Sequence, residues 1–118
     1  MLQEGKIFVG KSVKPEYLDL ALANRHGLIT GATGTGKTVS LQVLAEGFSD
    51  AGVPVFAADI KGDLSGIGLA GEQKDFIDQR LEDVGLPGFT PKGYPTVLWD
   101  VFGEQGHPIR ATVTDMGP

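Results

Sequence analysis

The chain has 118 residues, 41% of them apolar, with a mean hydropathy near zero, which suits one compact soluble domain and excludes both a charge-rich disordered tract and a lipid-embedded one. Fifteen acidic against ten basic residues give a net charge of -5, so there is no overall basic field for gripping a phosphate backbone, and any nucleic-acid contact is local or made by a larger assembly. With no cysteine, disulfides and thiolate metal sites are excluded, and His26 and His107 cannot cage zinc alone, so any metal sits on oxygen.

In chain order, Lys6 to Val9 is a short apolar run, and in Tyr17 to Leu22 the leucines at 18, 20 and 22 alternate with other residues. Both read as strands, although Pro15 would also suit the first turn of a helix in the second segment. Gly27 to Thr30 reads as a buried strand and is followed by the glycine-rich stretch Gly31 to Gly36. From Lys37 to Ser49 the residues Leu41, Leu44, Ala45 and Phe48 share one helical face. Val53 to Ala58 is a continuous apolar run of the kind found in a parallel sheet covered on both faces, and the intervening helix makes a right-handed βαβ crossover the natural connection. A glycine-rich loop over 59–71 precedes a helical pattern from Glu72 to Val84, with Gly85 and Pro87 placed to stop it. Thr96 to Trp99 and Arg110 to Thr114 read as two further strands. No apolar run approaches the roughly 18 residues of a membrane span and no signal peptide opens the chain, so no membrane contact and a cytoplasmic location are expected.

Residues 31 to 38 read Gly-Ala-Thr-Gly-Thr-Gly-Lys-Thr and match G-x-x-x-x-G-K-[ST] at every fixed position. A chain of this length and composition has only about a one to two per cent chance of such a match. The chemistry explains the pattern: a triphosphate is wrapped by successive backbone N–H groups, and Gly31, Gly34 and Gly36 allow close approach and positive φ. The following helix points its unpaired N–H groups and positive dipole end at the same phosphates. The expected nucleotide-binding set is therefore Gly31, Ala32, Thr33, Gly34, Thr35, Gly36, Lys37, Thr38 and Val39, for ATP with Mg²⁺. Within it Lys37 is the catalytic phosphate lysine and Thr38 the Mg²⁺ ligand.

Other patterns are weaker. Gly66 to Gly71 fits G-x-G-x-x-G, but the preceding strand ends too early and the ribose-binding acid about 20 residues on is missing, so a flexible loop is expected. Asp59 stands just past its strand, at the carboxyl edge where open α/β sheets bind ligands, and reads either as a second Mg²⁺ site residue acting through water or as a loop-capping carboxylate. Asp100 imitates a Walker B acid with Glu104 as a displaced neighbour, while Trp99 reads as core packing and His26 as a structural partner at a strand start.

Asn24 to Val39 together with Asp59 to Gly66 resembles the HerA–FtsK superfamily of P-loop ATPases, and within it the bacterial HerA-like, YjgR-type ATPases. Tyr94 to Pro108 and Arg110 to Pro118 look like the same branch. The resemblance implies a RecA-like ATPase core working as a homo-oligomeric ring, with DNA translocation in better-known relatives. Relatives are longer, with the Walker B pair and a trans arginine downstream, so the chain is expected to be an N-terminal fragment that binds nucleotide without useful turnover.

The expected fold class is thus α/β, a P-loop NTPase (RecA-like) parallel sheet with flanking helices, incomplete, and preceded by short N-terminal β segments. One domain over 1–118 is expected, with the β segments in 1–23 and the P-loop core portion in 24–118. Two other readings share the loop. A small-molecule kinase or GTPase would bring clustered arginines or an N-K-x-D segment, whereas Arg25, Arg80 and Arg110 are dispersed. A nucleotide-stabilised assembly module would bind without hydrolysis even at full length.

Overall fold

The computed structural model describes residues 2–86 and 88–110. Strands β1 (Leu2–Gln3), β2 (Lys6–Lys11) and β3 (Pro15–Asp19) form an antiparallel sheet in the order β1-β2-β3. The first hairpin turns on Glu4 and Gly5, both at positive φ, as a two-residue type I′ connection requires. Val9 is the extra residue of a bulge between the Phe8–Tyr17 and Gly10–Glu16 pairs, which bends β2 near its middle. The alternation expected to run as a strand to Leu22 stops at Asp19. There the carboxylate accepts from the Ala21 N–H at 3.0 Å and the chain turns into a 3₁₀ helix over Leu20–Leu22. This local side-chain bond takes over where the ladder runs out: the Leu20 N–H still donates to the Gly5 carbonyl at 3.0 Å, but Gly5 already belongs to the turn before β2.

The first long helix, α1 (Lys37–Asp50), packs across β2. Its contact point is Gly47, the buried residue of the helix, seated on Ile7, which is fully buried (0% exposed). A Cβ on Gly47 would lie 2.5 Å from Ile7 Cγ2, so glycine sets how closely helix and sheet approach. On the opposite face of β2, Phe8 meets its cross-strand partner Tyr17 edge to face, with centroids 5.7 Å apart. The second long helix, α2 (Asp75–Val84), begins three residues later than the pattern suggested, after Lys74, and places Asp75 and Asp78 in its first turn where the helix dipole favours acids. It ends as expected on Gly85 in the left-handed region: the Leu86 N–H donates to the Leu81 carbonyl at 2.9 Å, and the Leu86 side chain is buried. Pro87, the second expected stop signal, lies outside the described residues. Lys11 at the end of β2 donates to the Asp83 carbonyl at 2.8 Å and ties sheet and helix together.

The strands expected over Gly27–Thr30 and Val53–Ala58 are corrected: neither segment belongs to a strand, and the sheets among the described residues contain no βαβ pair. Their apolar side chains stay open, Leu28 at 87% and Phe56 at 89% exposure, because a strand exists only through a paired neighbour and neither run has one. The buried hydrophobic core is accordingly Ile7, Phe8 and Leu86. A 3₁₀ helix over Ser65–Gly68 replaces part of the loop expected around Gly66.

The last two expected strands shift. A two-residue parallel bridge joins β4 (Trp99–Asp100) to β5 (His107–Pro108), while Arg110 is in no strand and 111–114 lie outside the described residues. Parallel strands normally need a long crossover, and here six residues suffice. Gly103 adopts a φ of 70°, and Gly106 comes so close to the Leu98 carbonyl that a Cβ would stand 2.7 Å from its oxygen.

Candidate phosphate loop

Gly31 to Gly36 forms a run of bends and turns that ends where α1 begins. Gly34 and Gly36 have φ of 80° and 90°, in the region where any Cβ is strained. Gly31 serves differently from the expectation of positive φ: its backbone passes against the Thr35 hydroxyl, and a Cβ there would collide with Thr35 Oγ1. Thr35 in turn donates its hydroxyl to the Ala32 carbonyl at 2.7 Å, closing the loop across its base.

Gly36 is the residue before the helix and has no side chain to cap it. The first free carbonyl-to-amide bond of α1 runs from Ser40 N–H to Gly36 O at 2.9 Å, so the earlier N–H groups of Gly36, Lys37, Thr38 and Val39 are those that an α-helix leaves without intrahelical partners. No acidic residue occupies the first turn. Lys37 folds back over the loop, and its ammonium donates to the carbonyls of Gly31 at 2.8 Å and Ala32 at 2.7 Å. The Thr38 hydroxyl makes no hydrogen bond to a described residue. The site is therefore a concentration of donors, several backbone N–H groups and one ammonium, gathered at a positive dipole end. That chemistry fits an anion with several oxygens, and the free hydroxyl beside it fits a hard cation such as Mg²⁺.

Asp59 sits outside this cluster. Its Oδ1 accepts from the N–H groups of Lys61 at 3.2 Å and Gly62 at 3.0 Å, and its Oδ2 from Leu64 at 2.7 Å, so the loop-capping reading describes its contacts. These bonds, led by that from Leu64, hold its carboxyl below the ordinary value of 3.8. The Asp63 N–H also faces this carboxylate, so a metal ion would meet it through water at the exposed rim of the turn. Asp100 is held the same way: Phe102 N–H donates to Oδ1 at 2.9 Å, and those of Glu104 and Gln105 to Oδ2 at 2.8 and 3.0 Å. It organises its own loop, and no contact joins it to the phosphate loop.

Trp99 corrects the expectation of core packing: it is 58% exposed and touches His107, centroids 5.7 Å apart. No group of three or more His, Asp or Glu residues suited to a metal is found among the described residues, and the His26 side chain is exposed with no strand beside it. Two open depressions lie away from the loop, one of about 490 Å³ along Thr96–Leu98 and Glu104–His107, the other beside Gln3, Glu4, Lys6 and Tyr17. No described helix is long and apolar enough to cross a membrane.

A further pair of contacts, invisible to motif reading, links the glycine loop of 59–71 to α1. Gln42 Nε2 donates to the Asp63 carbonyl at 3.2 Å. At the far end of α1, Lys92 bonds Asp50 at 2.5 Å and lies 4.9 Å from the Tyr94 ring centroid, while the Tyr94 N–H donates to the Ile67 carbonyl at 3.0 Å. Burial, then the neighbouring charge of Asp50, raises the Glu46 carboxyl, and burial followed by the charge of Glu46 raises the Tyr94 phenol.

The family model for the helicase HerA-like C-terminal domain matches residues 4–118. The chain belongs to the helicase HerA-like C-terminal family. The match spans strands β2 and β3, the candidate phosphate loop, both long helices and the Trp99–His107 bridge, so the loop sits inside the family domain. No curated protein and no solved structure gives a significant match.

Proposed function

We propose that this HerA-like domain binds ATP with Mg²⁺ through Gly31–Val39, on a RecA-like P-loop core of the YjgR-type branch that works as a homo-oligomeric ring. The carrying observation is the uncapped start of α1, with Lys37 bent back over a loop in which Gly31 has no room for a Cβ and Gly34 and Gly36 hold positive φ. In this reading the N–H groups of the loop and first helical turn surround the phosphates. Lys37 exchanges its two carbonyl partners for β- and γ-phosphate oxygens, a stronger charge-assisted pairing. Thr38 would hold Mg²⁺ directly, and Asp59 would approach it through water. The bound nucleotide supplies the transferable phosphoryl group, and the ion neutralises its charge. The residues assigned form a clamp and include no group that positions the attacking water, so binding without useful turnover is expected of this chain. DNA translocation rests on family likeness alone, and the acidic balance lends it no support.

Calorimetric titration of Mg-ATP and Mg-GTP into the chain and into Lys37→Ala tests the proposal. Adenine-preferring binding that Lys37→Ala weakens about ten- to a hundredfold is expected, the loss of one charge-assisted phosphate contact. A folded chain that binds neither nucleotide, or binds equally well without Lys37, overturns it.

A further inference from the structure

The residues that would share the metal ion come from separate parts of the chain, Thr38 from the first turn of α1 and Asp59 from the loop beyond Ala58. No hydrogen bond joins the two, so something else must hold them in register. Positions 38 and 42 are one helical turn apart and lie on one face of α1, with Cβ atoms about 5–6 Å apart. From that face Gln42 reaches across 21 residues of sequence to the Asp63 carbonyl. Asp63 belongs to the turn that Asp59 itself builds: three backbone N–H groups between 61 and 64 converge on its carboxylate. The turn is therefore a small rigid unit, with the carboxylate inside and a carbonyl outside, and Gln42 is fastened to that carbonyl. Gln42 is the side chain of α1 that bonds this turn among the described residues; the other bonded fastening of the 59–71 segment, Tyr94 N–H to Ile67, lies beyond the turn.

We propose that Gln42 is a positioning residue that docks the Asp59 turn on the Thr38 face of α1, so that the direct and water-mediated arms of one Mg²⁺ site approach together. The proposal rests on the nucleotide reading above and names a residue outside the phosphate-loop motif. It also gives the capped Asp59 carboxylate a reason to be rigid. A water-mediated ligand contributes only when its position is fixed, because the entropy of ordering a free loop offsets one hydrogen bond.

The test uses the whole chain and three variants, Gln42→Glu, Gln42→Lys and Asp59→Asn. Gln42→Glu keeps the shape but removes the donor, and Gln42→Lys restores a donor to the same carbonyl. ATP affinity is measured by calorimetry with Mg²⁺ and with EDTA, and hydrogen exchange of the 59–65 amides is followed in the ligand-free chain. Gln42→Glu is expected to lower the ratio of Mg-ATP to metal-free ATP affinity about three- to tenfold, leave the metal-free value unchanged and speed exchange in the turn. Gln42→Lys restores the ratio, and in an Asp59→Asn background Gln42→Glu has no further effect. Equal losses with and without Mg²⁺, or an unchanged ratio in a wild-type chain that binds ATP through Lys37, overturn the positioning role alone. Failure of the wild-type chain to bind ATP overturns the nucleotide reading and this role with it. Circular dichroism of each variant establishes that α1 and α2 are retained.

Discussion

Gly47→Ala is a perturbation whose sign the packing decides. In an open helix interior, replacing glycine by alanine stabilises by about 1 kcal/mol, since the chain gives up less backbone freedom on folding. In α1 the added methyl would stand 2.5 Å from Ile7 Cγ2, 2.9 Å from Cγ1 and 3.0 Å from Cδ1. Ile7 cannot yield easily, because it is wholly buried and β-branched, with its χ1 rotamer restricted. Overpacking of this kind costs about 1–3 kcal/mol, which outweighs the propensity gain and leaves a net destabilisation of up to about 2 kcal/mol. Urea unfolding followed by circular dichroism measures it as a lower midpoint at unchanged slope. The pair Gly47→Ala with Ile7→Ala checks the cause: Ile7→Ala alone costs about 2–5 kcal/mol, and the double variant is expected to lose less than the sum, since each change makes room for the other. A Gly47→Ala chain more stable than wild type would refute the docking of α1 on β2, as would strict additivity in the double variant.

Substituting Gly36 by Ala, at φ 90°, forces a Cβ into the left-handed region at a cost of about 1–2 kcal/mol, and should weaken ATP binding in calorimetry while leaving α2 and the sheet intact. The Asp59 and Asp100 carboxyls are both lowered, each by backbone hydrogen bonds, those from Leu64 and Gln105 being the largest causes. Groups with lowered values stabilise the fold fully above the unfolded value of about 3.8, and that contribution disappears as pH falls through the lower folded value. The amide resonances of Leu64 and Gln105 are accordingly expected to titrate below pH 3.8, and midpoints at or above it would contradict the caps. Removing the ammonium in Lys92→Met should push the Tyr94 phenol higher still, because that charge opposes the effects of burial, Glu46 and Asp50; spectrophotometric titration of tyrosine against wild type reads it. Trp99 is the single tryptophan, so its exposure predicts red-shifted emission open to iodide quenching, and a blue, unquenched spectrum would return it to the core.

What could be read from the sequence follows the range of the forces involved. Helix α1 was legible over nearly its whole length, 37–49 expected and Lys37–Asp50 found, because a 3.6-residue apolar period and the absence of proline are both local. Gly85 was legible for the same reason: a helix end that needs positive φ advertises itself through glycine. The segments 27–30 and 53–58 were not. Their composition records a preference for burial between neighbours, and a strand forms only when a neighbour presents its own N–H and C=O groups. At the site, the identities of Gly31 to Thr38 matched the phosphate-loop pattern, yet Gly31 proved to be constrained by Thr35 rather than by its own φ, a contact that depends on how the loop closes. Gln42 carried no motif signal. Its spacing of four from Thr38 was the only sequence hint, and that spacing has meaning only once the Asp59 turn is seen against the helix.

The carbonyls held by Lys37 bear on how the loop can be both ordered and ready. An ammonium has three donors, and two of them satisfy Gly31 and Ala32, so the loop keeps its shape through a contact between a charge and neutral acceptors. Phosphate oxygens offer the same ammonium a charged partner, and such pairs are roughly twice as strong as neutral ones. In the proposed nucleotide reading this exchange would favour the ligand, and the start of α1 is fixed by Gly36 and by the Ser40 bonds to its carbonyl. Asp59 works the other way. Its partners are all backbone N–H groups of its own turn, and a cation approaching through water would leave them in place. On the proposed reading, one arm of the site would yield its contacts on binding and the other would keep them. This division matches what phosphate and magnesium each require, a clamp that changes partners and a carboxylate that holds its position.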